Sequence, residues 1–209
     1  MKTVKYEGYL TQQKLENLLA DAFAGHISIF ETEKKIDGLP NHRWDIYVEF
    51  LNGKKIAVEF DGDQHYRNMV TIDRDVMKDD SAYEQCIIPI RIPYWVQLTD
   101  ETAKHYFGDL FDEIHIEQNY PHGFIKSKIF PASYCAMGVE MFLDDLFNLP
   151  HEVYDTVLDN MLDHGIGGKY DPHTVFPGAM ADFLNDIFKD TEFTFENDKG
   201  TCFLVGEPD

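Results

Sequence analysis

The stretch Arg43–His65, RWDIYVEFLNGKKIAVEFDGDQH, decides how this chain folds. Ile46, Val48 and Phe50 alternate with polar neighbours, and Ile56, Val58 and Phe60 do the same further on. Successive strand side chains point to opposite faces, so both triplets belong on one buried face of a β-hairpin. The other face carries Asp45, Tyr47 and Glu49 from one strand and Lys55, Ala57, Glu59 and Asp61 from its partner. The turn sets the register. Asn52-Gly53 suits a two-residue type I′ turn, but that pairing puts Asp45 opposite Phe60 and splits the apolar triplets between faces. A three-residue loop, Leu51-Asn52-Gly53, with Gly53 left-handed as a G1 bulge, keeps them together. Phe50 then faces Lys54, Val48 faces Ile56 and Asp45 faces Glu59, directly paired residues having Cβ atoms about 4.5–5.5 Å apart. Asp45, Glu59 and Asp61 therefore converge at one end of one face. Carboxylates that close raise each other's pKa, and a divalent cation between them relieves the repulsion.

Outward from the hairpin, Thr11 opens a helix with Leu15, Leu18, Leu19, Ala22 and Phe23 at helical spacing and a stop at Gly25. Glu16, off the centre of that stripe, reads as solvated. Ile27–Lys35 is a strand, and Asp37-Gly38-Leu39-Pro40 turns the chain into the hairpin. Past His65, a segment of about a dozen residues suits a helix, with Ile72, Val76 and Tyr83 on one side and Asp75, Lys78 and Asp79 elsewhere. The apolar run 87–95, IIPIRIPYW, follows as a strand, although Pro89 argues against an interior position. Strand, helix and strand in this order favour parallel pairing with a right-handed crossover. The fold class is α/β with a mixed sheet.

Beyond Gln97 the texture changes. Residues 99–118 look helical and acidic, 120–131 loop-like, and 138–148 and 151–164 read as helices broken at Pro150. The Gly-x-Gly-Gly of loop 165–178 lacks the strand and the Lys-Ser/Thr of a phosphate loop. A last helix and a terminal hairpin close the chain. We expect an α/β domain over 1–98 and an acidic, mostly helical region over 99–209.

Charge sharpens this division. The net charge of −20 is unevenly spread: residues 1–98 carry 12 basic and 16 acidic side chains, leaving 6 and 22 for the remainder. Long-range repulsion from nucleic acid argues against tight non-specific binding by the whole surface, but not against a local site. Cys86, Cys135 and Cys202 form neither a CxxC pair nor an even set, and the nine histidines show no zinc spacing. With no leader and no spanning apolar run, the expectation is a cytoplasmic, reduced protein without membrane attachment.

Asp45, then Glu59-Phe60-Asp61-Gly62-Asp63-Gln64-His65, Asp75-Val76-Met77-Lys78 and Ile90-Arg91-Ile92-Pro93-Tyr94-Trp95 together resemble one family. The pattern is similar to the PD-(D/E)xK nuclease superfamily, in the branch of very-short-patch repair endonucleases and related phage and bacterial endonuclease-like domains. The likeness covers roughly residues 11–97. It implies a restriction-endonuclease-like core and Mg2+- or Mn2+-dependent hydrolysis of DNA phosphodiester bonds in defence, repair or mobile-element maintenance. RNA ranks behind DNA as substrate. Carried over by position, Asp45 and Glu59 match the family's metal acids and His65 the histidine after the Asp-Gly turn. Lys78 matches the basic residue of the helix. Asp61 stands where many members have Lys, and Trp44 where the name-giving Pro stands.

The residue chemistry runs parallel. Asp45, Glu59 and Asp61 are the metal candidates, since Mg2+ takes carboxylate oxygens, waters and phosphate. Lys78 would stabilise transition-state charge, unless it pairs with Asp75 or Asp79 on its own helix. His65 would handle a proton or brace the Asp-Gly turn. Arg91 anchors a strand end through a carboxylate, and Glu49 is solvated. Lys34, Lys35, Arg43, Lys54, Lys55 and Arg67 are the phosphate-contact candidates. The missing Lys at 61 motivates an alternative, a nuclease-like module that no longer cuts and binds a partner through its acidic second half. That half could equally serve a homodimer or another protein.

Overall fold

A computed structural model describes residues 2–111, 114–118, 136–157, 176–177, 194–198 and 201–205 of the 209-residue chain. In order they form β1 (Lys2–Tyr6), α1 (Gln12–Ala22), β2 (Ile27–Lys35), β3 (Arg43–Phe50), β4 (Lys55–Asp61) and α2 (Met69–Glu84). Then come β5 (Ile88–Pro93), α3 (Asp100–Phe107), β6 (Ile114–Gln118), α4 (Ala136–Phe147), β7 (Phe176–Pro177), β8 (Thr194–Asp198) and β9 (Thr201–Val205). Single 3-10 turns occupy Asp63–Tyr66 and Gly108–Phe111. No helix among the described residues is long and apolar enough to cross a membrane.

The β3–β4 turn is the three-residue loop that the apolar alternation demands. Gly53 sits at φ +84°, which a side chain would disfavour, while Phe50 N–H bonds Lys54 O at 2.8 Å and Gly53 N–H bonds Phe50 O at 2.9 Å. Ile46 consequently pairs with Val58 and Val48 with Ile56. Ile46, Val48, Phe50, Ile56 and Val58 all enter the main core, with Phe60 packed partly against it. Strand β2 pairs antiparallel with β3, and β5 pairs parallel with β4, giving a mixed sheet in the order β2-β3-β4-β5. Strand β5 lies at the edge, so Pro89, opposite Ala57, removes no ladder bond on its open side.

Helix α1 covers the core face. The Thr11 hydroxyl accepts Lys14 N–H as N-cap, and Leu15, Leu18, Leu19 and Ala22 are buried. Phe23, just beyond, meets the rings of Phe50, Phe107 and Phe111 edge-on, with centroids 5.0, 5.7 and 6.0 Å away. Phe107 and Phe111 lie past residue 98, as do Ile116, Phe142, Leu146, Val153 and Val157, and all belong to this one core. The core therefore does not close at residue 98.

Several expectations for the second half change. Residues 99–118 are not helical throughout: α3 ends at Phe107, and Ile114–Gln118 is a strand running parallel to β1. Strand β1 itself, a short apolar-polar alternation ending in Tyr6, has too few residues to stand out in the sequence. The helix expected over 138–148 is α4, residues 151–157 are helical after Pro150, and the terminal hairpin is β8–β9. Residues 158–164, the Gly-x-Gly-Gly, the last expected helix and loop 120–131 lie outside the described residues.

Helix α2 lies over the sheet's other face, where Ala82 packs with Tyr47, Ala57 and Trp44 in a smaller core. Its orientation reverses the expectation. Ile72 is buried, but Val76 and Tyr83 are exposed, whereas Thr71, Asp75, Lys78 and Ser81 are buried. This helix covers a face rich in acids, so its polar side turns inward.

Candidate active site

The β3–β4 ladder stops at Ile46–Val58, and at the next pair the two strands exchange side chain for backbone. Glu59 Oε1 accepts Asp45 N–H at 3.2 Å, and Asp45 Oδ2 accepts Phe60 N–H at 2.9 Å. Each carboxylate is thereby held by the neighbouring strand's main chain, and the two lie side by side as the bulged register requires. From α2, Lys78 Nζ reaches Glu59 Oε2 in a short, buried ion pair. Lys78 pairs with neither Asp75 nor Asp79, so the on-helix pairing weighed for it does not form. Asp45 Oδ1 has no hydrogen-bond donor among the described residues.

Glu59 is 2 % exposed. Burial pushes its pKa up to about 7; Lys78 opposes the rise and Asp45 adds to it. Asp45, half-buried, is also raised by burial, while the Phe60 N–H and Lys78 pull it down. Glu33 adds a further negative charge there. It stands at φ +53° in β2, where the pair between Thr32–Ile46 and Lys34–Trp44 drops out of the ladder. A buried and a half-buried carboxylate side by side, one ammonium on Glu59 and one Asp45 oxygen uncommitted, form a hard-oxygen set that fits Mg2+ or Mn2+.

These groups line a cleft of about 240 Å³ together with His65, Asp75, Arg43 and Arg74. Asp61 is not among its walls. Two residues along β4 from Glu59, Asp61 is buried and bound by Arg91 Nη1 at 2.8 Å, with His65 Nδ1 at 3.2 Å. Burial raises its pKa to about 6 against the pull of Arg91. Asp61, His65 and Asp75 keep their ligand atoms within 4.8 Å of one another, a set that could hold a metal. Arg91 already supplies cationic charge there, however, reaching Asp75 Oδ1 at 3.5 Å and chelating Asp79 through Nε and Nη2 at 2.9 and 3.1 Å. Arg91 is thus the strand-end anchor expected of it. Asp61 serves that anchor and is separated from the Asp45–Glu59 pair with which the sequence grouped it.

His65 Nδ1–H donates to Asp75 Oδ2 at 2.5 Å, and the Asp63–Tyr66 turn that carries it is held from outside by α4. Burial disfavours the imidazolium, but the bond to Asp75 and the charge of Asp61 outweigh burial and raise the His65 pKa. Tyr66 Oη donates to Asp145 Oδ2 at 2.9 Å, and Gly138 lies so close that a Cβ there would fall 1.5 Å from Tyr66 O.

The six basic candidates for phosphate contact separate. Arg43 lines the cleft. Lys34 is paired with Glu31 at 3.0 Å and lies over the Tyr47 ring, and Arg67 is paired with Asp63 at 3.1 Å. Lys35 is exposed at the end of β2, opposite Arg43. Lys54 and Lys55 sit by the hairpin turn, Lys55 about 13 Å along the strand from Glu59 at roughly 3.3 Å per residue and Lys54 one residue further. They are at the wrong end for the cleft. Arg74 was not foreseen, although it stands one helical turn before Lys78 and so shares its face. Gln12, Asn41 and His42 also reach the cleft and carry no sequence signal of their own.

Comparison with protein-family models, with curated proteins and with solved structures finds no match for this chain.

Proposed function

We propose that this protein is a Mg2+- or Mn2+-dependent endonuclease that hydrolyses phosphodiester bonds in DNA. One observation carries the reading: two carboxylates from adjacent strands and an ammonium from α2 meet in a cleft rimmed by arginines. Asp45 and Glu59 would hold the cation, which when bound supplies Lewis acidity and neutralises phosphoryl charge. Lys78 takes the place of the lysine missing at position 61, coming from the helix and reaching Glu59. As phosphate enters, its ammonium shifts part of its hydrogen bonding from Glu59 to the non-bridging oxygens, where charge develops. His65, held at Nδ1 by Asp75, leaves Nε2 to take a proton from the attacking water or give one to the leaving oxygen. Arg43 and Arg74 are the groups to grip the flanking phosphates.

The test is incubation of the purified chain with supercoiled plasmid and Mg2+ or Mn2+. Nicking or linearisation that disappears in Asp45→Asn and Glu59→Gln supports the reading; activity that survives both variants places the chemistry elsewhere. The Lys78–Glu59 pair also favours a second reading, since an ammonium locked on that carboxylate competes with a cation. A nuclease-like module that no longer cuts would show neither cleavage nor micromolar Mn2+ binding by titration calorimetry.

A further inference from the structure

Helix α2 is inverted. Its inward side is polar because it serves Glu59 and the Arg91 network, and its outward side carries Met69, Val70, Val76, Met77 and Tyr83 at 49 to 75 % exposure. Met69, Val76 and Tyr83 are spaced by seven residues, as are Val70 and Met77, so they fall on one side of the helix every second turn, with the exposed Asp73 and Asp80 on the turns between. Isolated exposed apolar residues are ordinary, but a row of five on one side of a 16-residue helix is the pattern of a covered surface.

Charge says what covers it. Asp73, Asp80 and Glu84 are exposed on the same helix and have no basic partner among the described residues. Beside this row lies a cavity of about 260 Å³ walled by Leu39 and Met77 and rimmed by Asp37, Asp80 and Glu84. An apolar wall with an acidic rim suits the aliphatic stem and charged head of a Lys or Arg. A second copy is a poor occupant, because a two-fold contact sets these acids against themselves.

We propose that the outward face of α2, with the adjoining acid-rimmed cavity, docks a basic amphipathic helix of a protein partner. Apolar anchors of that helix lie along Met69, Val76 and Tyr83, and one basic side chain enters the cavity at Met77. This site is independent of the cleft chemistry, since Asp75 and Lys78 remain turned inward.

A fluorescein-labelled Leu/Lys amphipathic helix matching α2 in length is the probe, with a Leu/Glu peptide of the same pattern as control. Anisotropy with the full chain is expected to show binding of the Lys peptide alone. The methyl resonances of Met69 and Met77 shift on binding. Val76→Ser with Tyr83→Ser, and separately Asp80→Lys with Glu84→Lys, each weaken it about tenfold or more. All four positions are exposed, so melting temperature certifies the fold of the variants. No binding, equal binding of the Leu/Glu peptide, unmoved methionine methyls, or affinity unchanged in the double variants overturns the proposal. So does sedimentation showing a dimer that Val76→Ser with Tyr83→Ser dissociates, which would assign the face to a second copy.

Discussion

Burial holds Glu59 near pKa 7 in the fold, against 4.5 for an exposed glutamate, and this has a definite sign for stability. The folded state retains a proton that the unfolded state gives up, so the contribution is fully present below about 4.5 and is lost as pH rises through about 7. Asp61, near 6, acts in the same direction. The melting temperature should therefore fall between pH 5 and pH 8, and Glu59→Gln should flatten part of that fall; an unchanged slope in the variant would contradict the assignment. Mn2+ should restore more of the melting temperature at pH 8 than at pH 5, where protons compete for the carboxylates. Lys78→Met, on the proposed chemistry, should lower the turnover number about 100-fold or more, measured in the plasmid assay. The Asp45–Glu59 pairing was legible because a period of two and one glycine fix it. The partner of Asp61 was not, because Arg91 comes 30 residues later and the register of β5 against β4, which sets Arg91 beside Glu59, is fixed by no turn in the sequence.

Helix α2 shows why an apolar spacing does not by itself reveal an inside. Ile72, Val76 and Tyr83 look like a core stripe, yet α2 packs on a face made of Asp45, Glu59 and Asp61, and those acids draw Lys78 and its polar neighbours inward. Val76→Ser should consequently change stability by no more than about 0.5 kcal/mol, whereas Ile72→Ala should cost about 2–4 kcal/mol. Urea unfolding separates these, and a large loss at Val76 would mean that the helix is turned the other way. Helix α4 is the opposite case. Gly138 has no feature in the sequence that marks it, but the backbone of Tyr66 occupies the space a side chain would need. Gly138→Ala gains roughly 1 kcal/mol in helix propensity and should still be destabilising by about 1–3 kcal/mol through overpacking. On the proposed chemistry it should also weaken plasmid cleavage, since the displaced turn carries His65. A stability gain would show that α4 does not rest on that turn.

The whole molecule carries a charge of −20, yet the cleft is lined by Arg43, Arg74 and Lys78. So few cationic groups, set against Asp45, Glu59 and Asp75 in the same cleft, predict a shallow salt dependence on the proposed function. With two or three phosphates engaged, the logarithm of DNA affinity should fall with the logarithm of salt at a slope of about −2 to −3. Arg43→Ala or Arg74→Ala should each reduce it by about 0.9, read by fluorescence anisotropy. A slope unaffected by either variant would put the nucleic-acid path elsewhere. The hairpin, α1 and the β4–α2–β5 unit were readable because local periodicity determines them. The β1–β6 pairing and the merging of residues beyond 98 into one core were not, since the first joins residues 112 apart and the second rests on non-local contacts such as Phe23–Phe107 and Trp95–Phe142 that no local pattern marks. The central claim is that Asp45 and Glu59 form the cation seat, and a crystal soaked with Mn2+ examines it directly. An anomalous peak between those two carboxylates is the predicted result; a peak among Asp61, His65 and Asp75 instead, or none at either place, would contradict it.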